Sequence, residues 1–416
     1  MSANPIELVL HPKAWEALTV LEAAPAPSRG ELVADLELTA DERAAVLTQL
    51  DLRDQAQAKL GEFARTMIFT RDGLEQATRL EVAAMHAARF REAGIATVAD
   101  LGCGIGVDSL AMAGLGIEVR AWDLNPQAVA AATVNLRFHD NATVNLGDVT
   151  ELDAPSLVQS GVQGIFADPA RRTGAQAGGR RINDPEQWSP ALSTALSWRE
   201  HLRAGGHDAL GLKVAPGIDY RHIPADFEAH WISVDRQLVE ASLWSPDLTS
   251  GPQRSATVMR GGEKLTFSDP TDPSSPAEQA PGSALENYIF EPDPAIIRAG
   301  LIASVVRDLG LSGTISPSIA YLTSNSIPEG DAAKALTGFE VLEVTTLRPK
   351  AISKALRAMD PTGVEVKKRG ADINPAALQV ALKRILVPKT KDYENELTVF
   401  ATRIGGRHQA IIARRL

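Results

Sequence analysis

An α/β fold built on a mainly parallel sheet is what this 416-residue sequence predicts, and three observations predict it. From Thr66 to Phe267, short apolar runs alternate with helical or loop segments, the pattern of strands covered by helices on both faces. At the end of that region two β-rich stretches follow one another without a helix, so they are expected to close one sheet edge as an antiparallel pair. A helical segment precedes the region, and a small basic α/β unit ends the chain.

Residues Met1–Arg65 are expected to be helical. Thr39 with Glu42 three residues on forms a capping box, which starts a helix running to about Leu50, and a second helix spans roughly Arg53–Phe63. Leu74, Thr78, Val82 and Met85 recur at helical spacing. The strands are then Ala96–Leu101, Ile117–Trp122, Ala142–Leu146, Gly164–Ala167 and Ala209–Val214, with Trp231–Trp244 and Ser255–Phe267 as the edge pair. Residues Ser268–Gly330 form a linker and bridging segment. Ser268–Ser283 is rich in Pro, Ser and Asp and is expected to be a mobile loop or linker, and a helix is expected around Ala295–Leu309. Residues Asp331–Leu416 contain strand Phe339–Thr345, helix Pro349–Met359, strand Val364–Lys368 and a helix Pro375–Ile385 capped by Asn374. A hairpin of Leu397–Ile404 and Arg407–Ala413 turns at Gly405-Gly406.

Hydrophobic residues make up 44% and charged residues 23%, which excludes a wholly disordered chain. No stretch approaches the ~20 apolar residues of a spanning helix, so no membrane partner is expected. The N-terminus lacks the pattern of a secretory signal, and the lone Cys103 cannot form an internal disulfide, which points to the cytoplasm. No metal is expected, because the eight histidines show no ligand spacing. The formal charge is −10, but it is unevenly spread. Asp331–Leu416 carries 16 Lys+Arg against 9 Asp+Glu, a net of +7, and the other 330 residues carry 26 against 43, a net of −17. A basic module on an acidic body suits a polyanionic partner.

The chemistry centres on Asp100-Leu101-Gly102-Cys103-Gly104-Ile105-Gly106, an apolar strand ending in an acid and then a glycine loop. The dinucleotide fingerprint G-x-G-x-x-G would place its third glycine where Val107 stands, so the spacing favours S-adenosylmethionine over a nicotinamide cofactor. Gly102, Gly104 and Gly106 let the backbone approach the ligand, and Asp100 can accept from its ammonium, directly or through water. Asp123, with Leu124 beside it, ends the next strand 21 residues beyond Gly102, where a carboxylate takes ribose hydroxyls. Asp148 and Val149 end the third strand, where they can meet the adenine amino group and ring. The fourth strand ends in Asp168-Pro169-Ala170-Arg171-Arg172, beside the expected position of the reacting methyl. Asp168, Pro169 and Arg171 are the candidate catalytic residues. Enzymes that methylate amines carry Asp/Asn-Pro-Pro-aromatic here; Ala170 and Arg171 replace the second proline and the aromatic, which leaves the acceptor atom open. Arg171, Arg172, Arg180 and Arg181 flank a Gly-rich stretch that could close over a phosphate-bearing substrate, and Lys367, Lys368 and Arg369 with Arg403 and Arg407 could form a phosphate-binding face.

These residues resemble the class I S-adenosylmethionine-dependent methyltransferases, over about Thr70–Phe267. More narrowly, the chain is similar to bacterial methyltransferases with a C-terminal THUMP-like domain, through Phe69-Thr70, Leu74–Thr78, Asp168–Arg172, Tyr288–Pro292, Lys367–Gly370 and Thr402–Arg407. The resemblance implies a seven-stranded Rossmann-like sheet, S-adenosylmethionine as cofactor, and Gln76 and Thr78 near its methionine end. It also implies an RNA substrate, tRNA or rRNA, because THUMP domains belong to tRNA-modifying enzymes. The alternatives are a same-fold enzyme acting on a small metabolite and a protein that binds the cofactor without catalysis.

Overall fold

A computed structural model describes residues 5–170, 184–251, 253–317, 319–390 and 394–416. The chain divides into two compact units, one of residues 1–229 with 241–252, the other of residues 230–240 with 253–416.

In the first unit, Thr39 caps the helix Ala40–Leu60 reciprocally with Glu42 (Thr39 N to Glu42 Oε2 2.8 Å, Glu42 N to Thr39 Oγ1 3.2 Å). The two helices expected here are one, 21 residues long. Nothing between Leu50 and Arg53 breaks a helix, and Leu52 and Arg53 are buried, so packing carries it on to Gly61. Two buried amides then clamp the segment Met67–Phe69. Gln49 exchanges bonds with the Phe69 backbone, and Asn135 with that of Ile68 while also donating to the Ile105 carbonyl (2.9 Å) in the glycine loop. The N-terminal helices share one apolar cluster with Ile105, Val107 and Leu136, so they brace the loop they precede.

The sheet of this unit contains β1 (Thr97–Leu101), β2 (Glu118–Asp123), β3 (Ala142–Leu146), β4 (Gly164–Ala167) and β5 (Ala209–Val214), all parallel. β7 (Gln237–Trp244) follows, its part Ala241–Trp244 running antiparallel to β5, while β6 (Glu228–Val234) and the start of β7 belong almost wholly to the second unit. The order in this unit is β3-β2-β1-β4-β5-β7, that of a Rossmann-like sheet. The edge differs from expectation in one respect: Trp231–Trp244 is itself a hairpin, not one strand, turning at Asp235-Arg236. β1, β4 and β5 are buried at every position, which accounts for their continuous apolar runs.

In the second unit, β8 (Gln253–Arg260) and β9 (Glu263–Asp269) form a hairpin through Gly261-Gly262, and β8 lies beside β6. The expected single strand Ser255–Phe267 is thus two; both glycines have positive φ, the conformation a two-residue hairpin turn needs. No helix or strand lies between Asp269 and Tyr288, and the Pro273 carbonyl there accepts from buried Arg254 (3.2 Å). The expected helix Ala295–Leu309 is split into Pro294–Ala299 and Ile302–Asp308 by Gly300, whose φ of 73° ends the first. A second sheet follows. Its strands are β10 (Tyr288–Pro292), β11 (Gly313–Ser316), β12 (Ile319–Ser324), β13 (Leu336–Thr346), β14 (Gly363–Lys368), β15 (Glu396–Ile404) and β16 (Arg407–Arg415), in the order β11-β12-β10-β13-β16-β15-β14. The helices Pro349–Arg357 and Pro375–Leu382 cover one face with Ile352, Leu356, Leu378 and Leu382 against Leu397, Val399 and Ile412. Among the described residues no helix is long and apolar enough to cross a membrane.

Candidate functional site

The carboxyl ends of β1, β2, β3 and β4 are neighbours in the sheet, so their tip residues gather at one edge. β1 leads through Gly102–Gly106 into the helix Val107–Gly114. Gly102 and Gly106 have φ of 88° and 82°, and a Cβ on Gly102 would come within 3.1 Å of the Asp168 carbonyl oxygen. A side chain at Gly102 would therefore wedge the β1 and β4 tips apart. Gly104 also has positive φ, but a Cβ there would meet nothing within 4 Å, so its backbone borders open space.

Asp123 ties the loop down. Its Oδ2 accepts from Gly104 N (2.9 Å) and its Oδ1 from Asn125 N (2.8 Å). Leu124 beside it is 64% exposed. Asp148 accepts from both the amide and the hydroxyl of Thr150 (2.8 and 2.7 Å), and these bonds hold its carboxyl below the usual range; Val149 is buried.

Asp100 lies under the loop, 1% exposed, with Ser109 Oγ donating to its Oδ2 (2.5 Å). Burial above all, then the charge of Asp108, pushes its carboxyl up to about 8, although the Ser109 bond opposes this and Asp168 and Asp123 add to it. Between about pH 4 and pH 8 the unfolded chain has released this proton while the folded protein keeps it. Stability is therefore lost as pH rises through that window. Asp100→Asn keeps the Ser109 bond without the titration, so urea unfolding of this variant is expected to lose that part of the pH dependence. An unchanged slope would place the titration elsewhere.

Asp168 ends β4 and is partly exposed; Pro169 behind it is buried, and Ala170 pairs with Ser189 through both backbone bonds (2.8 and 3.0 Å). The Asp168 Oδ2 lies 2.8 Å from Lys213 Nζ. Lys213 Nζ also donates to Thr78 Oγ1 (3.1 Å), Thr78 Oγ1 to Asp108 Oδ2 (2.7 Å), and the other Asp108 oxygen meets His86 Nδ1 (2.8 Å). A polar chain thus runs from the β4 tip into the core, where His86 lies against Phe166 and Trp244 with ring centroids 5.1 and 5.4 Å away. Thr78 is an inner link of this chain, whereas Gln76 is exposed. Sequence reasoning missed Lys213, Asp108, Ser109 and His86. Lys213 had a signal: it is the one charge in Ala209-Leu210-Gly211-Leu212-Lys213-Val214, a run buried throughout.

Arg171, Arg172, Arg180 and Arg181 lie outside the described residues. In the second unit, Lys367 and Arg369 share one carboxylate, Glu291 (2.5 and 3.2 Å), and Arg369 also stacks over Tyr321. Lys368 is exposed and its Nζ donates to the Ile373 carbonyl (3.0 Å).

An S-adenosylmethionine-dependent methyltransferase of Mycobacterium tuberculosis, not functionally characterized, is 33% identical over 343 residues, covering 80% of this chain and 87% of that one. The chain belongs to the S-adenosylmethionine-dependent methyltransferases. Two family models match this methyltransferase, the methyltransferase small domain over residues 63–178 and the THUMP domain-like family over residues 336–415. A crystal structure of a putative methyltransferase from Porphyromonas gingivalis W83 is similar in fold over the full length of both chains, with a TM-score of 0.72 at 19% identity. The cofactor of this methyltransferase is accordingly S-adenosylmethionine, and the open cradle at Gly104, the acid tips and the exposed Leu124 fit such a group.

Proposed function

We propose that this methyltransferase modifies RNA, a tRNA or rRNA nucleotide, in the cytoplasm. The observation that carries the reading is the register of the THUMP-like sheet. Thr346 and Thr402 both pair with Gln409, Arg403 pairs with His408, and Lys368 with Ala401. One end of the sheet therefore collects Arg348 just beyond β13, Lys368 at the end of β14, Arg403 at the end of β15, and Arg407 and His408 at the start of β16. Lys367 and Arg369 are taken up by Glu291, and Glu365 also lies 3.9 Å from Lys367, so this pair adds no net charge to the rim. Such a rim suits a phosphodiester backbone.

In the first unit, Gly102, Gly104 and Gly106 with Asp123, Leu124, Asp148 and Val149 hold the cofactor, with Asp100 beneath the loop and Gln76 and Thr78 on the flanking segment. When bound, the cofactor supplies a methyl group on a sulfonium, activated for in-line transfer. Lys213 holds one oxygen of Asp168, which leaves the other to orient the acceptor and take its proton. Pro169 stiffens the tip, and Arg171 and Arg172, which follow it in the sequence, are assigned to the substrate phosphate. Most of the rate enhancement comes from positioning.

Asp123→Ala is expected to weaken S-adenosylmethionine binding at least tenfold in calorimetry. It removes up to two charge-assisted bonds to the ligand, worth roughly 1.5–3 kcal/mol each, and also unties Gly104. Unchanged affinity would remove Asp123 from the site.

The substrate is tested by mass spectrometry of nucleosides from total RNA of a deletion strain and its parent. One methylated nucleoside is expected to disappear. RNA nucleosides that stay unchanged while a methylated metabolite is lost would move the acceptor to a small molecule. Binding to the responsive RNA is expected to weaken with salt, with a log–log slope of about −0.7 per phosphate contacted on single strands.

A further inference from the structure

The helix Ala40–Leu60 precedes the span matched by the methyltransferase small domain, which starts at residue 63, yet it grips the strap of residues 67–79 by its backbone. Gln49 exchanges bonds with Phe69, and buried Arg53 donates to the Met67 carbonyl (2.9 Å). In the last turn of the helix, the partly buried Lys59 directs its ammonium at three carbonyls, those of Leu74 (2.7 Å), Glu75 (2.7 Å) and Ala77 (3.4 Å). Arg79 Nη1 returns a bond to the Ala58 carbonyl (3.1 Å), so the strap and the helix end clasp each other. Carbonyls at the end of the helix Arg71–Gln76 lack partners within it, and a cation is the group that suits them.

What the strap touches gives the clasp a function. A Cβ on Gly73 would come within 2.4 Å of Ile105 Cγ2, so the helix Arg71–Gln76 lies directly on the glycine loop of residues 102–106. Beyond it, Thr78 Oγ1 donates to Asp108 Oδ2 (2.7 Å), in the first turn of the helix that leaves the loop. Thr78 Oγ1 also accepts from Lys213 Nζ (3.1 Å), which meets Asp168 Oδ2 at 2.8 Å. Glu75 and Gln76 are exposed between these two anchors. The strap is therefore fixed against the elements that follow β1 and β4, whereas Asp123 and Asp148 stand at the ends of β2 and β3 on the other side of the crevice.

We propose that Lys59 is a positioning residue of the cofactor site. By holding the Leu74, Glu75 and Ala77 carbonyls it sets the strap as a wall beside the glycine loop. With the adenosine taken by the acids beyond β2 and β3, that wall serves the amino-acid tail of S-adenosylmethionine, on the side of β1 and β4. The role rests on the glycine loop being the cofactor site and not on RNA being the methyl acceptor.

The test titrates the full chain calorimetrically with S-adenosylmethionine, S-adenosylhomocysteine and 5′-methylthioadenosine. The last keeps the adenosine and the sulfur but lacks the amino-acid tail. Lys59→Met keeps the length of the side chain and removes the ammonium. It is expected to bind the two tailed ligands about tenfold more weakly, the effect of roughly one charge-assisted contact, and methylthioadenosine within about twofold of wild type. Lys59→Arg keeps a cation that donates to carbonyls and is expected to hold affinity within a few-fold. Gly73→Ala pushes the strap off Ile105 without touching Lys59 and is expected to show the same selective loss as Lys59→Met. Equal weakening of all three ligands would make Lys59 a structural residue, and unchanged affinity for all three, or a Lys59→Arg variant as weak as Lys59→Met, would overturn its role. Asp123→Ala separates the two failures. If it weakens S-adenosylmethionine binding and Lys59→Met does not, the role of Lys59 falls alone; if it has no effect, the reading of the glycine loop as the cofactor site falls with it.

Discussion

Asp168→Ala is expected to abolish methyl transfer, with a loss of at least a thousandfold, while S-adenosylmethionine affinity stays within a few-fold. The carboxylate sits at the β4 tip, next to the glycine loop but apart from Asp123 and Asp148 at the other strand tips. Removing it takes away the group proposed to orient the acceptor and breaks its contact with the largely buried Lys213 Nζ at 2.8 Å. Positioning and proton acceptance together account for factors of this size. The measurement is transfer of labelled methyl to RNA from the deletion strain, with calorimetry for the cofactor in parallel. Asp168→Asn is the control, since it keeps the shape and a hydrogen-bond acceptor but not the charge. Full activity in either variant would take the catalytic role from Asp168.

Asp108→Ala is expected to be the most destabilising single change in the first unit. Its carboxylate is the hub between His86 Nδ1 (2.8 Å) and Thr78 Oγ1 (2.7 Å), and its side chain is 13% exposed against 1% for His86. Burial alone would raise its carboxyl, but the His86 bond and charge, the Lys213 charge and the Thr78 bond together hold it below the ordinary range. It also lies in the first turn of the helix Val107–Gly114, where the helix dipole favours an anion. Removing one partner of a buried ion pair costs roughly 3–5 kcal/mol, because the other charge stays buried without compensation. The urea midpoint should fall accordingly. The sign of the pH dependence follows from the depressed carboxyl: this stabilisation is present above the unfolded carboxylate range and is lost as pH falls through the folded value. The variant should thus differ least from wild type in acid. An unfolding free energy within about 0.5 kcal/mol of wild type at neutral pH would show that the chain from His86 to Asp168 contributes nothing to the fold.

Much of the fold was legible because its signals are local. The glycine loop, the apolar runs of β1 to β5 and the Gly405-Gly406 turn each depend on a few adjacent residues whose backbone needs are met in one way. The errors were local too. The Asp235-Arg236 turn carries no glycine, so a hairpin was read as a strand. The helix Ala40–Leu60 was divided because its continuation depends on burying Leu52 and Arg53, which no short window reveals. The Gly300 break in Pro294–Asp308 is marked in the sequence by the glycine itself, which takes the positive φ that ends the first helix.

The sequence by itself determined the cofactor class, the sheet and the acids at its strand tips, because each acid follows its own strand directly and needs no distant partner to be recognised. The tertiary structure alone decided what surrounds them. Thr78 and Lys213 are 135 residues apart and meet within 3.1 Å, which converts an isolated Asp168 into the end of a polar chain reaching His86. It likewise decided that Glu291 takes up Lys367 and Arg369 while Lys368 stays exposed, so a run of three cations in the sequence is not a face of three cations in the protein. The physical reason is common to both. A charge near the interior is set by the partners that packing brings to it, and those partners come from elements that sequence spacing does not connect.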